Sequence, residues 1–205
     1  MKKKSIFKLL ACSLALLTLA PACDNAEKTT AAMNENATLA TIAARKSVRS
    51  FTSEPVSREE VMKILRAGMA APTGSNIQPW EFVVVSDRAV LDSLATVSNP
   101  KILAEAPLAV VVCGDTVASP RMWEQDCSAA TQNILLAVES LGLGAVWTLG
   151  YPNAERTAGI VRILNLPPNI VPLNIIPIGH PNGTFDPKDK FKEEKIHFNA
   201  WGERQ

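Results

Sequence analysis

The sequence predicts a single folded domain that contains both α-helices and β-strands. A chain of 205 residues, 47% of them apolar, is long and apolar enough to build one substantial core. Along it, short apolar runs typical of buried strands alternate with longer segments whose apolar residues recur every three or four positions, as on one face of a helix. These two observations together predict a mixed α and β architecture.

The clearest predicted helix is Ser57–Met69. Ser57 and Glu60 form a capping box at its start, and Val56 and Val61 are spaced for a hydrophobic staple. The apolar residues of the segment then fall on one helical face. The same reasoning predicts further helices at residues 38–45, 87–96, 122–141 and 153–164.

Four apolar runs are predicted to be strands: Glu81–Ser86, Leu108–Cys113, Ala145–Leu149 and Ile170–Ile178. Pro172 and Pro177 interrupt the last run, which predicts an edge or a bulged position because proline cannot donate to a strand ladder. Gly142 and Gly144 end a helix and precede a strand. A dinucleotide-binding fingerprint follows a strand and opens a helix, so we reject that interpretation.

The first 22 residues predict an export signal. Four lysines precede the apolar run Leu9–Ala20, which is too short to span a bilayer but suits the apolar region of a signal peptide. Cys23 follows a small residue, as in a bacterial lipobox, and we expect it to become the lipidated N-terminus. The protein is then an exported lipoprotein, anchored on the periplasmic side or at the cell surface. Leu9-Leu10-Ala11-Cys12 is a second candidate, but its apolar region would be very short. The alternative is an ordinary signal peptide with an incidental cysteine.

The remaining chain divides into a tether and a domain. Residues 23–37 are small and polar without periodicity and predict a flexible tether, and residues 38–205 form the domain, with a polar tail from about residue 180. After residue 22, 17 basic and 20 acidic residues remain, a net charge of −3. A mildly acidic body without a basic run argues against nucleic acid as a partner.

The two cysteines of the domain, Cys113 and Cys127, lie in an apolar strand pattern and a helical pattern. Buried free thiols are the favoured prediction, since a free cysteine behaves as a small apolar residue. A disulfide is the alternative in an oxidising compartment. No cysteine and histidine spacing typical of a metal site is present.

The stretch Ala70–Trp80 is the most distinctive part of the sequence. It joins a helix to a strand through two prolines, a glycine, two hydroxyls and two carboxamides, where a plain connection needs only a few residues. Asn76 and Gln78 each present a donor and an acceptor, which suits a planar heterocycle edge, and Trp80 could form a wall of such a site. An elaborate turn with a buried tryptophan is the equal alternative.

Arg45, Ser47 and Arg49 alternate along the chain. If this segment is extended, the three side chains project to the same side and form an anion-binding group. A solvated basic turn is the alternative. The tail from about residue 180 carries spaced aromatic residues but no core pattern, and we expect it to lie on another surface.

Five blocks in this order resemble the nitroreductase family of FMN-dependent oxidoreductases. They are R-x-S-x-R at Arg45–Arg49, A-P-T-G-S-N-x-Q-P-W at Ala71–Trp80, D-C-S-A-A-T-Q-N at Asp126–Asn133, G-L-G-A-V-W at Gly142–Trp147, and a terminal K-D-K-F…I-H-F-N-x-W. The resemblance implies an α+β, three-layer fold in which helices flank a central, mainly antiparallel sheet. It also implies an intertwined homodimer whose C-terminal tail wraps the partner and whose two FMN sites lie at the dimer interface.

The resemblance also implies which residues hold the cofactor. One group, expected at the phosphate and the pyrimidine edge, consists of Arg45, Ser47, Arg49, Lys188 and Lys190. A second group would approach FMN from the other subunit and consists of Pro72, Thr73, Gly74 and Ser75. Asn76 and Gln78 would hydrogen-bond the flavin or shape the site over it. Thr148, Leu149 and Gly150 should lie beside flavin N5, where a backbone N–H can donate to it.

The implied reaction is a ping-pong transfer of hydride from NADH or NADPH, through FMN, to a nitro compound, a quinone or a similar electron-poor acceptor. No protein nucleophile or general acid is required, so His180 and His197 are expected to be structural or surface residues. An exported enzyme has no obvious supply of NADH or NADPH, so its electron donor is in question. The alternatives are therefore a membrane-tethered flavin electron carrier, a non-catalytic FMN-binding protein, or a reductive dehalogenase of the same superfamily.

Overall fold

A computed structural model describes residues 36–204. Residues Thr38–Gln205 form one compact unit, and the fold is that of this unit. The predicted signal, Cys23 and residues 24–35 of the predicted tether lie outside the described residues. Residues 36 and 37, also predicted as tether, are instead helical. No helix within residues 36–204 has the length and apolar content needed to cross a membrane.

Helices and strands follow one another along the described chain. The helices are α1 (residues 36–44), α2 (Arg58–Met69), α3 (Arg88–Val97), α4 (Pro100–Glu105), α5 (Trp123–Ser140) and α6 (Ala154–Leu164). The strands are β1 (Trp80–Val85), β2 (Leu108–Asp115), β3 (Gly144–Ala145), β4 (Thr148–Leu149) and β5 (Ile170–Gly179). Short 3₁₀ turns occur at Gly74–Asn76 and Glu193–Lys195.

The strands form one antiparallel sheet in the order β1–β2–β5–β3, with β4 also paired to β5. Side chains alternate across it: Val110 and Val112 pack on one face, whereas Val111 packs on the other. The first face is covered by α2 and α5, and the second by α3, α4 and α6. Helices thus flank a central antiparallel sheet in three layers, which confirms the predicted fold.

Strand β5 is an interior strand, so an edge position is excluded and the bulged alternative is correct. The register against β2 shifts between Val112 and Cys113, which leaves Leu173 as the extra residue. The predicted strand Ala145–Leu149 is interrupted and forms β3 and β4. The register on both sides of the gap places Val146 opposite Pro177, which has no N–H for the ladder.

The start of α2 confirms the predicted capping box. The Ser57 side chain accepts the backbone N–H of Glu60, and the Glu60 carboxylate accepts the N–H of Ser57 at 2.8 Å. These bonds satisfy N–H groups that a helix start leaves without partners. The Ser57 hydroxyl also donates to the Glu60 carboxylate at 2.6 Å, and this bond, followed by that from the Ser57 N–H, holds the pKa of Glu60 below its ordinary value.

The two described cysteines are buried free thiols, as predicted. Cys127 packs on the sheet face covered by α2 and α5, and Cys113 packs on the opposite face. Because the sheet separates the two side chains, a disulfide between them is excluded.

Candidate active site

Residues 45–49 follow an irregular path along the edge of the sheet. The Val48 N–H donates to the carbonyl of Ala145 at 2.9 Å, and the Val48 side chain is only 1% exposed. Gly144 permits this approach, since a Cβ at Gly144 would lie 2.6 Å from Val48 Cγ1. With Val48 turned into the core, its neighbours Ser47 and Arg49 stay at the surface of the domain.

The C-terminal tail is brought to the same place by its first residues. The Thr52 N–H donates to the His180 carbonyl at 2.9 Å, and the Asn182 N–H donates to the Ser50 carbonyl at 3.0 Å. Phe185 then packs against a small cluster that contains Val48. The tail therefore passes beside residues 45–49, although the two segments are far apart in sequence.

A cavity of about 240 Å³ lies between the two segments. It is lined by Arg45, Lys46, Ser47, Arg49, Asp186, Lys188 and Lys190. Arg45, Ser47 and Arg49 line the same cavity, together with Lys46 from between them, although the segment is not a regular strand. That they bind a cofactor stays a prediction. The structure also brings the two predicted tail lysines to them.

The side chains that line this cavity carry more positive than negative charge, since Asp186 is the one carboxylate among them. Lys46 is neutralised by Glu139 of α5, with 2.7 Å between Nζ and Oε1. Within residues 36–204, no carboxylate lies within ion-pair distance of the other four cationic side chains, Arg45, Arg49, Lys188 and Lys190. Arginine and lysine donors around one hydroxyl suit a phosphate group, so the donor set fits the phosphate of FMN.

The predicted residues Pro72–Gln78 do not line this cavity. Their chain leaves α2, makes the 3₁₀ turn and enters β1 at Trp80, and most of their side chains are exposed. The Gln78 side chain donates to Asn76 Oδ1 at 2.8 Å, so the two carboxamides pair with each other. The two predicted groups of cofactor residues are therefore separate within one chain.

Thr148, Leu149 and Gly150 surround the bulge of β5. The buried Thr148 hydroxyl donates to the Ile175 carbonyl at 2.8 Å, and the Gly150 N–H donates to the Leu173 carbonyl at 3.1 Å. The N–H of Gly150 therefore already has an acceptor within the chain. Leu149, by contrast, is 46% exposed and is presented to solvent.

The model of the Nitroreductase family matches residues 42–116 and 95–180 of the chain. This chain belongs to the nitroreductase family.

Individual members of the family are similar over most of the domain. A Methanothermobacter thermautotrophicus protein named as an NADH dehydrogenase/NAD(P)H nitroreductase is 40% identical over 167 residues, which cover 80% of this chain and 87% of the relative. A Bacteroides thetaiotaomicron structure with the same name is 51% identical, with a TM-score of 0.79 over 80% of this chain and 98% of that one. A Desulfovibrio desulfuricans nitroreductase structure in complex with FMN is 34% identical, with a TM-score of 0.71 over 80% and 97% of the two chains.

The structure adds residues to this nitroreductase-family site that the sequence interpretation missed. Asp186 and Lys46 line the cavity, and Glu139 neutralises Lys46. Asp126 accepts the backbone N–H of Gly74 at 2.9 Å. Lys46 and Asp126 both lie inside the quoted sequence blocks, and this position indicated that they contribute to the site. Their partners could not be predicted because they are distant in sequence.

Proposed function

We infer that this chain is an FMN-dependent NAD(P)H oxidoreductase that works as a homodimer. The observation that carries this conclusion is the cationic cavity formed by Arg45, Ser47 and Arg49 with Lys188 and Lys190. FMN held by these residues would supply the chemistry of hydride transfer between NADH or NADPH and an electron-poor acceptor such as a nitro compound or a quinone. The part of the protein itself is to bind and orient FMN and to surround it with positive charge.

The cationic side chains have two tasks. They bind the phosphate through charge-assisted hydrogen bonds, which are stronger than bonds between neutral groups. They also provide positive charge near a cofactor that gains negative charge on reduction, which favours the reduced form. The pairing of Lys46 with Glu139 leaves Arg45, Arg49, Lys188 and Lys190 for these tasks.

The separation of the two predicted groups supports the homodimer. In one chain, the exposed residues Pro72–Gln78 do not line the cationic cavity, so they are available to a second copy. The tail also leaves large aromatic side chains in solvent, with Phe191 73% and Trp201 90% exposed. Burying these side chains against a partner would be favourable.

Neither described histidine is placed to act as a general acid. His180 lies 3.6 Å from the Glu54 carboxylate, and His197 stacks on Trp201 while its Nδ1 accepts the Gly202 N–H. Neither side chain lines the cationic cavity. Proton supply to the acceptor from solvent is consistent with this arrangement.

We also propose that the protein is an exported lipoprotein held at the membrane through Cys23. The support is the arrangement of the first 23 residues, with a basic start, an apolar run and a cysteine after a small residue. The electron donor then has to reach FMN outside the cytoplasm. Identifying this electron donor is therefore the most informative functional experiment.

The test is made on the purified full-length chain. We expect a yellow dimer that retains one FMN per chain, and that loses the absorbance of oxidised flavin when NADH or NADPH is added without air. A colourless protein that takes up no FMN contradicts the proposed function. A yellow protein that neither nicotinamide reduces would instead support the flavin-carrier alternative, with a donor in the membrane.

A further inference from the structure

The loop Thr73–Gln78 has an unusual backbone. Ser75, Asn76 and Gln78 all have left-handed conformations, with φ of 52°, 56° and 56°. Residues with a Cβ adopt this region at a cost in free energy, so such a loop keeps its shape only where other contacts hold it.

Contacts inside the loop define its shape. The Thr73 hydroxyl accepts the Gln78 N–H at 3.1 Å, and the Thr73 carbonyl accepts the Asn76 N–H at 3.1 Å. The Gln78 carboxamide closes the set by donating to Asn76. These bonds do not, however, position the loop relative to the rest of the protein.

One hydrogen bond connects the loop to another element. Among the hydrogen bonds of residues 36–204, only that of the Gly74 N–H to Asp126 Oδ1, at 2.9 Å, joins residues 73–78 to another part of the fold. Asp126 lies in the first turn of α5 and is 4% exposed. Its other oxygen accepts the Ser119 hydroxyl at 3.4 Å.

A buried carboxylate without an ion pair is costly unless hydrogen bonds satisfy it. Glu124 is also in the first turn of α5, where negative charge is favourable, but it is exposed. Helix stabilisation therefore does not require a carboxylate at the buried position. The geometry of Asp126 is explained by its bond to the loop.

We propose that Asp126 is a positioning residue for the flavin site. Its carboxylate holds the Gly74 end of the loop so that Thr73–Gln78 meets a flavin bound mainly by the partner chain. This inference rests on the proposed function and adds to it a residue that touches neither cofactor nor substrate. Asp126 of one chain thereby serves the FMN that the other chain binds.

The first test measures FMN affinity by fluorescence titration of the full-length dimer, at a temperature where every apo-variant is folded. We expect Asp126→Ala to bind FMN about 10- to 100-fold more weakly, the effect of losing a hydrogen bond to a charged group. Asp126→Asn keeps an acceptor for the Gly74 N–H and should recover most of the affinity. Glu124→Gln, which changes charge in the same helical turn, should have no effect.

A second pair of variants changes the donor and leaves Asp126 intact. Gly74→Pro removes the N–H, and the preceding Thr73, with φ −135° and ψ 155°, has a backbone that tolerates a following proline. Gly74→Ala keeps the N–H, and its Cβ would lie 3.5 Å from the nearest atom of Met122, an ordinary contact. Both variants place a side chain near the expected flavin, so the comparison is between them. We expect Gly74→Pro to bind FMN more weakly than Gly74→Ala, which keeps the proposal testable if Asp126→Ala does not fold.

The decisive test uses mixed dimers of Asp126→Ala and Arg49→Ala chains, purified through two different tags. If Asp126 serves the partner's flavin, one site of the mixed dimer has both native parts, and the other site has neither. We expect one FMN per mixed dimer with the affinity of the unmodified protein, whereas each variant homodimer has no such site.

The outcomes separate this inference from the proposed function. If the unmodified protein binds no FMN, the proposed function fails. If it binds FMN and Asp126→Ala binds it equally well, only the role of Asp126 is wrong. A mixed dimer without a site of native affinity contradicts the assignment to the partner's flavin.

Discussion

Gly144 of β3 and Val48 of the segment 45–49 are in such close contact that any side chain at position 144 would displace Val48. A Cβ there would lie 2.6 Å from Val48 Cγ1 and 2.7 Å from its Cβ. Val48 is flanked by Ser47 and Arg49, which line the cationic cavity. The packing of this edge of the sheet therefore determines where these two predicted cofactor residues lie.

We expect Gly144→Ala to lower the free energy of unfolding by about 1–3 kcal/mol, as overpacked cores do, and also to weaken FMN binding. Urea unfolding and FMN titration measure the two effects. Val48→Ala in the same chain removes the contacts to Cγ1 and Cγ2 but keeps the 2.7 Å contact to Cβ. The clash is therefore relieved in part, and the double variant should lose less stability than the two single losses combined.

Gly142→Ala is the matched control for this prediction. Gly142 has φ +73°, and no atom lies within 4 Å of a Cβ built there. We expect it to cost about 1 kcal/mol through the backbone alone and to leave FMN affinity unchanged. If Gly144→Ala behaves in the same way as Gly142→Ala, the contact with Val48 does not position the cavity.

The tail lysines provide a second prediction. Lys188, Lys190 and Lys192 share the same spacing, but only the first two line the cavity. Lys188→Ala should weaken FMN binding by about tenfold, because it removes a charge-assisted contact to the phosphate. Lys192→Ala should have no effect. Equal losses in the two variants would show that the tail acts only through its overall charge.

Much of the fold followed from local signals in the sequence. The capping box of Ser57 and Glu60 marked the start of α2, and the alternation of Arg45, Ser47 and Arg49 predicted their common cavity. These patterns could be recognised because neighbouring residues carry them.

Other features could not be predicted because they depend on partners far along the chain. The break between β3 and β4 follows from the register that sets Val146 opposite Pro177. The bond from Gly74 to Asp126 spans 52 residues. Helix α4 was missed for a different reason, since its six residues are too few to show a helical period.

The membrane anchor is tested by Cys23→Ala. If Cys23 carries lipid, the variant should move from the membrane fraction to the soluble fraction, and mass spectrometry should show a lipid on the unmodified chain only. Cys12→Ala is the control within the same signal and should leave the protein at the membrane. A Cys23→Ala protein that stays membrane-bound without lipid places the anchor elsewhere.

The buried thiols predict a loss of stability at alkaline pH. Burial raises the pKa of Cys113 to about 12 and that of Cys127 to about 12. In the unfolded chain both thiols lose their protons from about pH 9, whereas the folded chain keeps them. The unfolded state then binds fewer protons than the folded state. The free energy of unfolding therefore falls as pH rises from about 9, the thiol pKa in the unfolded chain, to about 12, the thiol pKa in the folded chain.

Between pH 9 and pH 10, the two thiols together should lower the free energy of unfolding by about 2 kcal/mol. Urea unfolding of the native chain and of a Cys113→Ala/Cys127→Ala variant at both pH values isolates this contribution from that of other titrating groups. The native chain should lose more stability than the variant, and its domain thiols should react with a thiol reagent only after unfolding. Equal losses in the two proteins, or rapid reaction of the folded chain, would show that the thiols are accessible to solvent.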